Sequence, residues 1–257
     1  MENQEKKPFS VFDIWEKLGV TEHMGGIKAT RQLIKLCDIT PGKYVLDIGC
    51  GTGYTACLLA KEYDVNVVAA DIRPKILELT KKRIAKERVG DKVETTEANA
   101  EKLKFQTETF DVVIAESVLV HCDSKKAVPE AYRVLKHDGH FGANELTYLK
   151  PPPAELLNLL LGSFLGGIIR GSQEHEWLAI LRGAGFVDTL STVSKINSLG
   201  QLVDHIKIDG FRRYLFAVIK GLLDPDMGGT FLKTDILKAY QQFSSYVGYG
   251  LYMGKKG

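Results

Sequence analysis

From Tyr44 onward, short apolar runs alternate with longer segments whose apolar side chains recur every three to four positions. After the Pro41-Gly42 turn, Tyr44-Val45-Leu46-Asp47-Ile48 reads as a buried strand, Tyr54 to Tyr63 as a helix, and Val65 to Ala70 as a second strand ending at Asp71. Pro74 suits the first turn of a helix in which Ile76, Leu77, Thr80 and Ile84 keep helical spacing. Gly90-Asp91 then turns the chain into a third strand, Lys92 to Glu97. Phe110 to Ala115 predicts a fourth strand, Lys125 to Leu135 a helix, and His137-Asp138-Gly139 a turn into a fifth strand, His140 to Leu146. Strands alternating with helices imply a mainly parallel sheet covered on both faces.

The flanks are mostly helical. Phe9 to Leu36 is a helical lead-in broken at Gly25-Gly26. Beyond Pro151-Pro152-Pro153 come an apolar helical segment (Ala154 to Ile169), a helix around Glu174 to Gly183 and a strand, Phe186 to Val193. A largely helical stretch from about Leu199 to Phe243 precedes the last strand, Tyr246 to Met253. That stretch is too long for a simple connection within an α/β core and reads as an insertion.

Composition narrows this picture by exclusion. With 257 residues, 44% of them hydrophobic and 26% charged, the chain suits one large α/β domain with a decorated edge. A net charge of +2 is too small for the broad positive field of a nucleic-acid binder. Cys37, Cys50, Cys57 and Cys122 form no C-x-x-C pair and show no metal-ligand spacing, so no metal site is expected and a reducing cytoplasm fits. The charged start, Met1 to Lys7, leads into no apolar core of a secretory signal. The most apolar stretch, Leu156 to Ile169, falls short of the ~20 residues that span a bilayer. No transmembrane segment is expected, and peripheral membrane contact is left open.

The candidate chemistry lies in Asp47-Ile48-Gly49-Cys50-Gly51-Thr52-Gly53. A strand that ends here and opens a helix places three residues without Cβ where backbone must bend sharply and approach a ligand. Sites that hold a pyrophosphate favour G-x-G-x-x-G, whereas these glycines are evenly spaced behind an acid, which suits a cationic ligand without phosphate. Asp71, ending the next strand, stands where α/β nucleotide folds put a carboxylate for ribose hydroxyls, although it could also simply cap the helix begun by Pro74.

With these residues the sequence resembles the class I S-adenosylmethionine-dependent methyltransferases, particularly the small-molecule branch of ubiquinone/menaquinone and sterol methyltransferases. The likeness covers about Tyr44 to Leu146 and rests on VLDIGCGTG, AADIRP, EANAEKLKF and FDVVIAESVLVH followed by EAYRVLKHDGHF. It implies a Rossmann-like, doubly wound α/β fold with a seven-stranded, mainly parallel sheet, an antiparallel last strand and helical lid insertions. It implies one methyltransferase domain over 1–257, with a lead-in at 1–40, a cofactor-binding core at 41–148 and substrate-covering insertions at 151–173 and 196–245. S-adenosylmethionine is the implied cofactor. Asp47, Gly49 and Gly51 would line its methionine moiety, with Cys50 and Gly53 also binding the cofactor, Asp71 would hold its ribose, and Ile72 would pack on adenine. Asn99-Ala100 sits where many relatives have Asp-Ala beside the adenine amino group, and Glu116 and Ser117 would face the reactive end.

The implied reaction is an in-line displacement, in which holding the partners in line in a dry pocket does much of the work. A base is needed only where the acceptor must lose a proton. His121, just past the fourth strand, is the first candidate; Glu145 and His23 are weaker ones. Ala115-Glu116-Ser117-Val118 stands where amino-methylating nucleic-acid enzymes carry [DN]-P-P-[YF], Pro-Cys of the cytosine-C5 type is absent, and Glu116 lacks the second glutamate of arginine methyltransferases. A small-molecule acceptor is therefore expected. Leu156 to Ile169 and the insertion's Phe211, Tyr214, Leu215, Phe216 and Val218 suggest an apolar cover and a lipophilic or aromatic acceptor. The rival readings are a cofactor-binding regulatory module without transferase activity and a nicotinamide-dependent oxidoreductase. Oligomeric state is not legible.

Overall fold

The computed structural model describes residues 24–163, 171–212, 215–216, 219–220 and 241–257. Helix α1 (Gly26–Leu36) precedes β1 (Tyr44–Ile48), α2 (Tyr54–Tyr63), β2 (Asn66–Asp71), α3 (Pro74–Glu87), β3 (Val93–Glu97) and β4 (Phe110–Glu116). A short 3-10 turn (Leu119–His121) leads to α4 (Ser124–Val134) and β5 (Leu135–Tyr148). Then follow α5 (Ala154–Ser163), β6 (Ser172–Gln173), α6 (Glu174–Gly183), β7 (Phe186–Lys195), α7 (Ser198–Asp209) and β8 (Val247–Lys256).

The sheet has eight strands in the order β3-β2-β1-β4-β5-β8-β7, with the two-residue β6 beside β5. β1 to β6 pair in parallel, and β8 runs antiparallel to both β5 and β7. The expected Rossmann-like architecture is therefore present, with one short strand more than expected. Successive strand residues bury on opposite faces. Val45, Val67, Val112 and Ile114 pack with Leu33 of α1, Leu59 of α2 and Leu77 of α3. Leu46, Val68, Val113 and Phe141 pack with Val128 and Ala131 of α4 and with Trp177 and Leu181 of α6. Near-continuous apolar strands such as β1 follow from this two-sided burial.

One boundary differs from expectation. His137-Asp138-Gly139 is no turn between elements; it lies inside β5 as an irregularity, with a register shift opposite Phe110 and Val112 and a left-handed Asp138 at φ 62°. A Cβ on Gly139 would lie 2.8 Å from the Lys136 carbonyl oxygen and 2.9 Å from that of Asp111, so the strand passes only because this residue has no side chain.

Strand order reverses between β1 and β4: β1 continues outward to β2 and β3, β4 to β5. Ligands of open α/β sheets bind in the crevice beyond the carboxyl ends of strands at such a point. The ends of β1, β2 and β4 carry Ile48, Asp71 and Glu116 to this edge.

Candidate active site

A cavity of about 350 Å³ opens at that edge, and Asp47, Asp71 and Glu116 all line it. The glycine turn forms one wall. Gly51 has φ 53°, and a Cβ there would meet nothing within 4 Å, so its place in the turn is selected by backbone conformation and an open ligand side. Gly53 serves otherwise: a Cβ on it would lie 2.5 Å from Cγ2 of Thr80, and it does not line the cavity. Its expected cofactor contact is corrected to close packing of α2 on α3.

Helix α3 holds the outer side of the turn, which sequence reading missed. Thr80 Oγ1 donates to the Gly51 carbonyl at 2.6 Å, and the buried Arg83 Nε donates to the Thr52 carbonyl at 3.0 Å. With these carbonyls turned outward, the Gly51 N–H points inward and donates to Asp71 Oδ2 at 3.2 Å. The other Asp71 oxygen, Oδ1, accepts from Arg73 N–H at 3.0 Å just ahead of α3, whose N-cap residue, Arg73, makes no side-chain cap.

Asp47 is the most constrained acid. It is 2% exposed, and among the described residues its Oδ2 has no hydrogen-bond partner. Burial, with the charges of Glu116 and Asp71 behind it, pushes its carboxyl well above the usual range. Asp71 is likewise raised, chiefly by burial. Glu116 accepts from Thr30 Oγ1 of α1 at 2.9 Å and from Thr55 Oγ1 of α2 at 2.8 Å. The raised Asp47 and Asp71 carry a cost for their charge in this cavity, and a cationic ligand relieves it. The unpartnered Asp47 oxygen and the open side of Gly51 thus fit a cofactor with an amino group and a sulfonium. Ile72, 57% exposed, lines the same cavity with Cys50, Asn99 and Ala100. Asn99 Oδ1 already accepts from Glu101 N–H at 2.9 Å.

The facing wall is the turn after β4. Ser117, Val118, His121 and Cys122 line it, with Ser117 held at φ 58°. Burial alone pushes the His121 imidazole down to about 4, so it is neutral at ordinary pH. Glu145, expected as a weaker base, is corrected: it is fully buried and does not line the cavity. It accepts instead from the backbone N–H groups of Val118 at 3.0 Å, Leu119 at 2.8 Å and Val120 at 3.3 Å. Burial raises its carboxyl to about 8 against the opposing pull of those donors. His23 lies outside the described residues. Its neighbour Met24 approaches the site, donating its N–H to Ser117 Oγ at 3.4 Å and accepting from Asn144 Nδ2 at 2.7 Å.

Of the expected cover, Phe211, Leu215 and Phe216 are exposed and line no part of the cavity. Tyr214 and Val218 lie outside the described residues. The insertion is instead tied to α1: Asp204 Oδ2 on α7 accepts from Ile27 N–H at 3.0 Å, at the first turn of that helix.

Residues 46–143 match the family model described as a methyltransferase domain. An uncharacterized methyltransferase, YodH, of Bacillus subtilis is 37% identical over 169 residues, which are 65% of this chain and 70% of that protein. The chain belongs to the class I S-adenosylmethionine-dependent methyltransferases. Its cofactor is S-adenosylmethionine. The ubiquinone/menaquinone biosynthesis C-methyltransferase UbiE of Zymomonas mobilis is 39% identical over 118 residues, 46% of this chain and about half (48%) of that protein. Phosphoethanolamine N-methyltransferase 2 of Haemonchus contortus, solved with S-adenosylmethionine, superposes with a TM-score of 0.75 at 18% identity, covering 95% of this chain and 57% of that one. The [4+2]-cyclase SpnF superposes at 0.73 with 18% identity, covering 96% and 92%. A fold shared with a cyclase does not settle the reaction, which has to be argued from the site.

Among the described residues no helix is long and apolar enough to cross a membrane, and no group of three or more His, Cys, Asp or Glu side chains could hold a metal.

Proposed function

We propose that this methyltransferase acts on a small lipophilic or aromatic acceptor seated against the wall of Val118, His121 and Cys122. The observation that carries this reading is the opposition of two unlike walls. Asp47, with its buried unpartnered oxygen, stands on one side; a neutral, half-buried imidazole among apolar neighbours stands on the other. When bound, S-adenosylmethionine supplies a methyl group on a cationic sulfur, open to in-line displacement. Asp47, Cys50 and the Gly49 and Gly51 backbone hold its amino-acid end, Asp71 accepts from its ribose hydroxyls, and Ile72, Asn99 and Ala100 flank its base. Glu116 and Ser117 border the reacting region.

His121 takes up the acceptor's proton on an imidazole nitrogen. A base held down to about 4 is weak, yet its lone pair is free of protons at neutral pH. A weak base suffices because an oxygen or nitrogen acceptor gains positive character as it accepts methyl, and its proton becomes acidic. The described end of the lead-in reaches the acceptor wall at Met24, and α7 of the insertion is tied to α1 at Ile27. The Met24–Ser117 and Asp204–Ile27 hydrogen bonds support that arrangement.

Incubation with methyl-labelled cofactor and a fractionated cell extract, followed by mass identification of labelled product, tests the transfer. A labelled small molecule is expected. Tight S-adenosylhomocysteine binding with no transfer to any fraction would leave the regulatory-module reading standing in its place.

A further inference from the structure

Glu145 is a buried carboxylate that the proposed chemistry does not use. It lies in β5, whose other face at this point carries Asn144 toward Met24 and Glu116. Its own carboxylate receives three successive backbone N–H groups, Oε1 from Val118 and Leu119 and Oε2 from Val120. These donors open the 3-10 turn Leu119–His121, whose preceding residue, Val118, makes no side-chain cap. Glu145 is therefore a cap supplied from a neighbouring strand, 25 to 27 residues away along the chain. Converging N–H groups of this kind form an anion-binding concavity, here filled by the protein itself.

The held turn carries cavity residues around the capped donors: Ser117 before them, Val118 among them, His121 and Cys122 after. Ser117 sits in the left-handed region, which a non-glycine residue keeps only when its surroundings impose it. Val118 also meets the glycine turn, since a Cβ on Gly49 would lie 2.4 Å from its Cγ2. A shift of the turn by a fraction of an ångström would thus move His121 and change the gap between the two walls.

We infer that Glu145 is a positioning residue for the acceptor wall: by binding the N–H groups of residues 118–120 it sets where Val118 and His121 stand opposite the glycine turn. The inference rests on the proposed role of that wall, and it predicts a separation. Among the described residues no hydrogen bond joins the Glu145 carboxyl to the glycine turn or Asp71, so its loss should loosen one wall and spare the other.

Glu145→Gln is the informative variant. The amide is isosteric but replaces one acceptor oxygen with an NH2 group, which then faces a backbone donor. Hydrogen exchange of the Val118, Leu119 and Val120 amides is expected to quicken by about tenfold or more. The Cε1–H resonance of His121, expected to be a single sharp line in the wild type, should broaden or split in the variant as the turn samples several arrangements. S-adenosylhomocysteine affinity should stay within about threefold of wild type. Unchanged amide exchange together with an unchanged His121 signal would overturn the inference. So would loss of S-adenosylhomocysteine binding in a folded variant, because Glu145 would then serve the whole site. Should Glu145→Gln fail to fold, Glu145→Asp keeps the carboxyl group, shortens its reach and carries the same readouts. Failure of wild-type protein to bind S-adenosylhomocysteine would instead strike the cofactor assignment and leave the exchange result interpretable.

Discussion

The two walls of the cavity are built by different means. The glycine-turn wall is local: Asp47 to Thr55 and Asp71 to Ile76 follow directly from the ends of β1 and β2, and Gly51 bonds Asp71 and Thr80 of the next βα unit. The His121 wall is assembled from afar. Its turn leans on Glu145 and Asn144 of β5 and on Met24, while Glu116 at its root is held by Thr30 of α1 and Thr55 of α2. On the proposed reading the first wall is a short-range motif serving the cofactor, and the second is a tertiary construction in which acceptor choice can vary without disturbing the first.

That contrast can be broken experimentally. The largest effect is expected at the acceptor wall: His121→Gln should lower turnover of the identified acceptor by about 10²- to 10⁴-fold while S-adenosylhomocysteine affinity, read by calorimetry, holds. An equal fall in both quantities would erase the division of labour. At the other wall, Asp47→Ala and Asp71→Ala should each weaken S-adenosylhomocysteine binding by about 10- to 100-fold, the loss typical of a hydrogen bond to a charged group. Wild-type affinity in both variants would sink the placement of the cofactor.

Gly53→Ala tests packing beneath the turn. Its φ of 77° and the 2.5 Å approach of Thr80 should cost about 2 kcal/mol of folding stability, measured by urea denaturation. Thr80→Val removes the hydroxyl bonded to the Gly51 carbonyl and should weaken S-adenosylhomocysteine binding by about fivefold, one ordinary hydrogen bond. No change there would mean that the turn keeps its shape without α3.

The effect smallest at neutral pH concerns His121 in the folding equilibrium. Its folded value of about 4 lies below the ordinary 6.5, so on acidification the unfolded chain binds the proton first. Its contribution to stability is complete above about 6.5 and is lost as pH falls toward about 4. Urea denaturation between pH 7 and pH 4.5 should show a shallower decline for His121→Gln than for wild type. Parallel curves would place the imidazole in water.

The strand and helix pattern from Tyr44 to Leu146, the glycine turn, Asp71 and the position of His121 were legible in the sequence. Each depends on residues near one another in the chain, through apolar period and turn chemistry. The placement of Glu145 was not legible, because the end of a strand marks a residue as near a site without saying which face its side chain takes. Nor were Thr80 and Arg83, which read as ordinary helix positions until α3 is laid against the turn. The exposed Phe211, Leu215 and Phe216 mark the same limit, since an apolar stripe declares that a helix has a greasy face and not what lies opposite.

By itself, then, the sequence determined a doubly wound α/β chain with a turn shaped for a cationic, phosphate-free cofactor, because strand period, glycine spacing and the two acids are short-range properties. Only the tertiary structure decided which acids line the cavity, which carbonyls α3 turns outward, and that Glu145 receives the N–H groups of the turn after β4. Those outcomes depend on contacts between segments far apart in the chain, whose register is set when both faces of the sheet are buried at once.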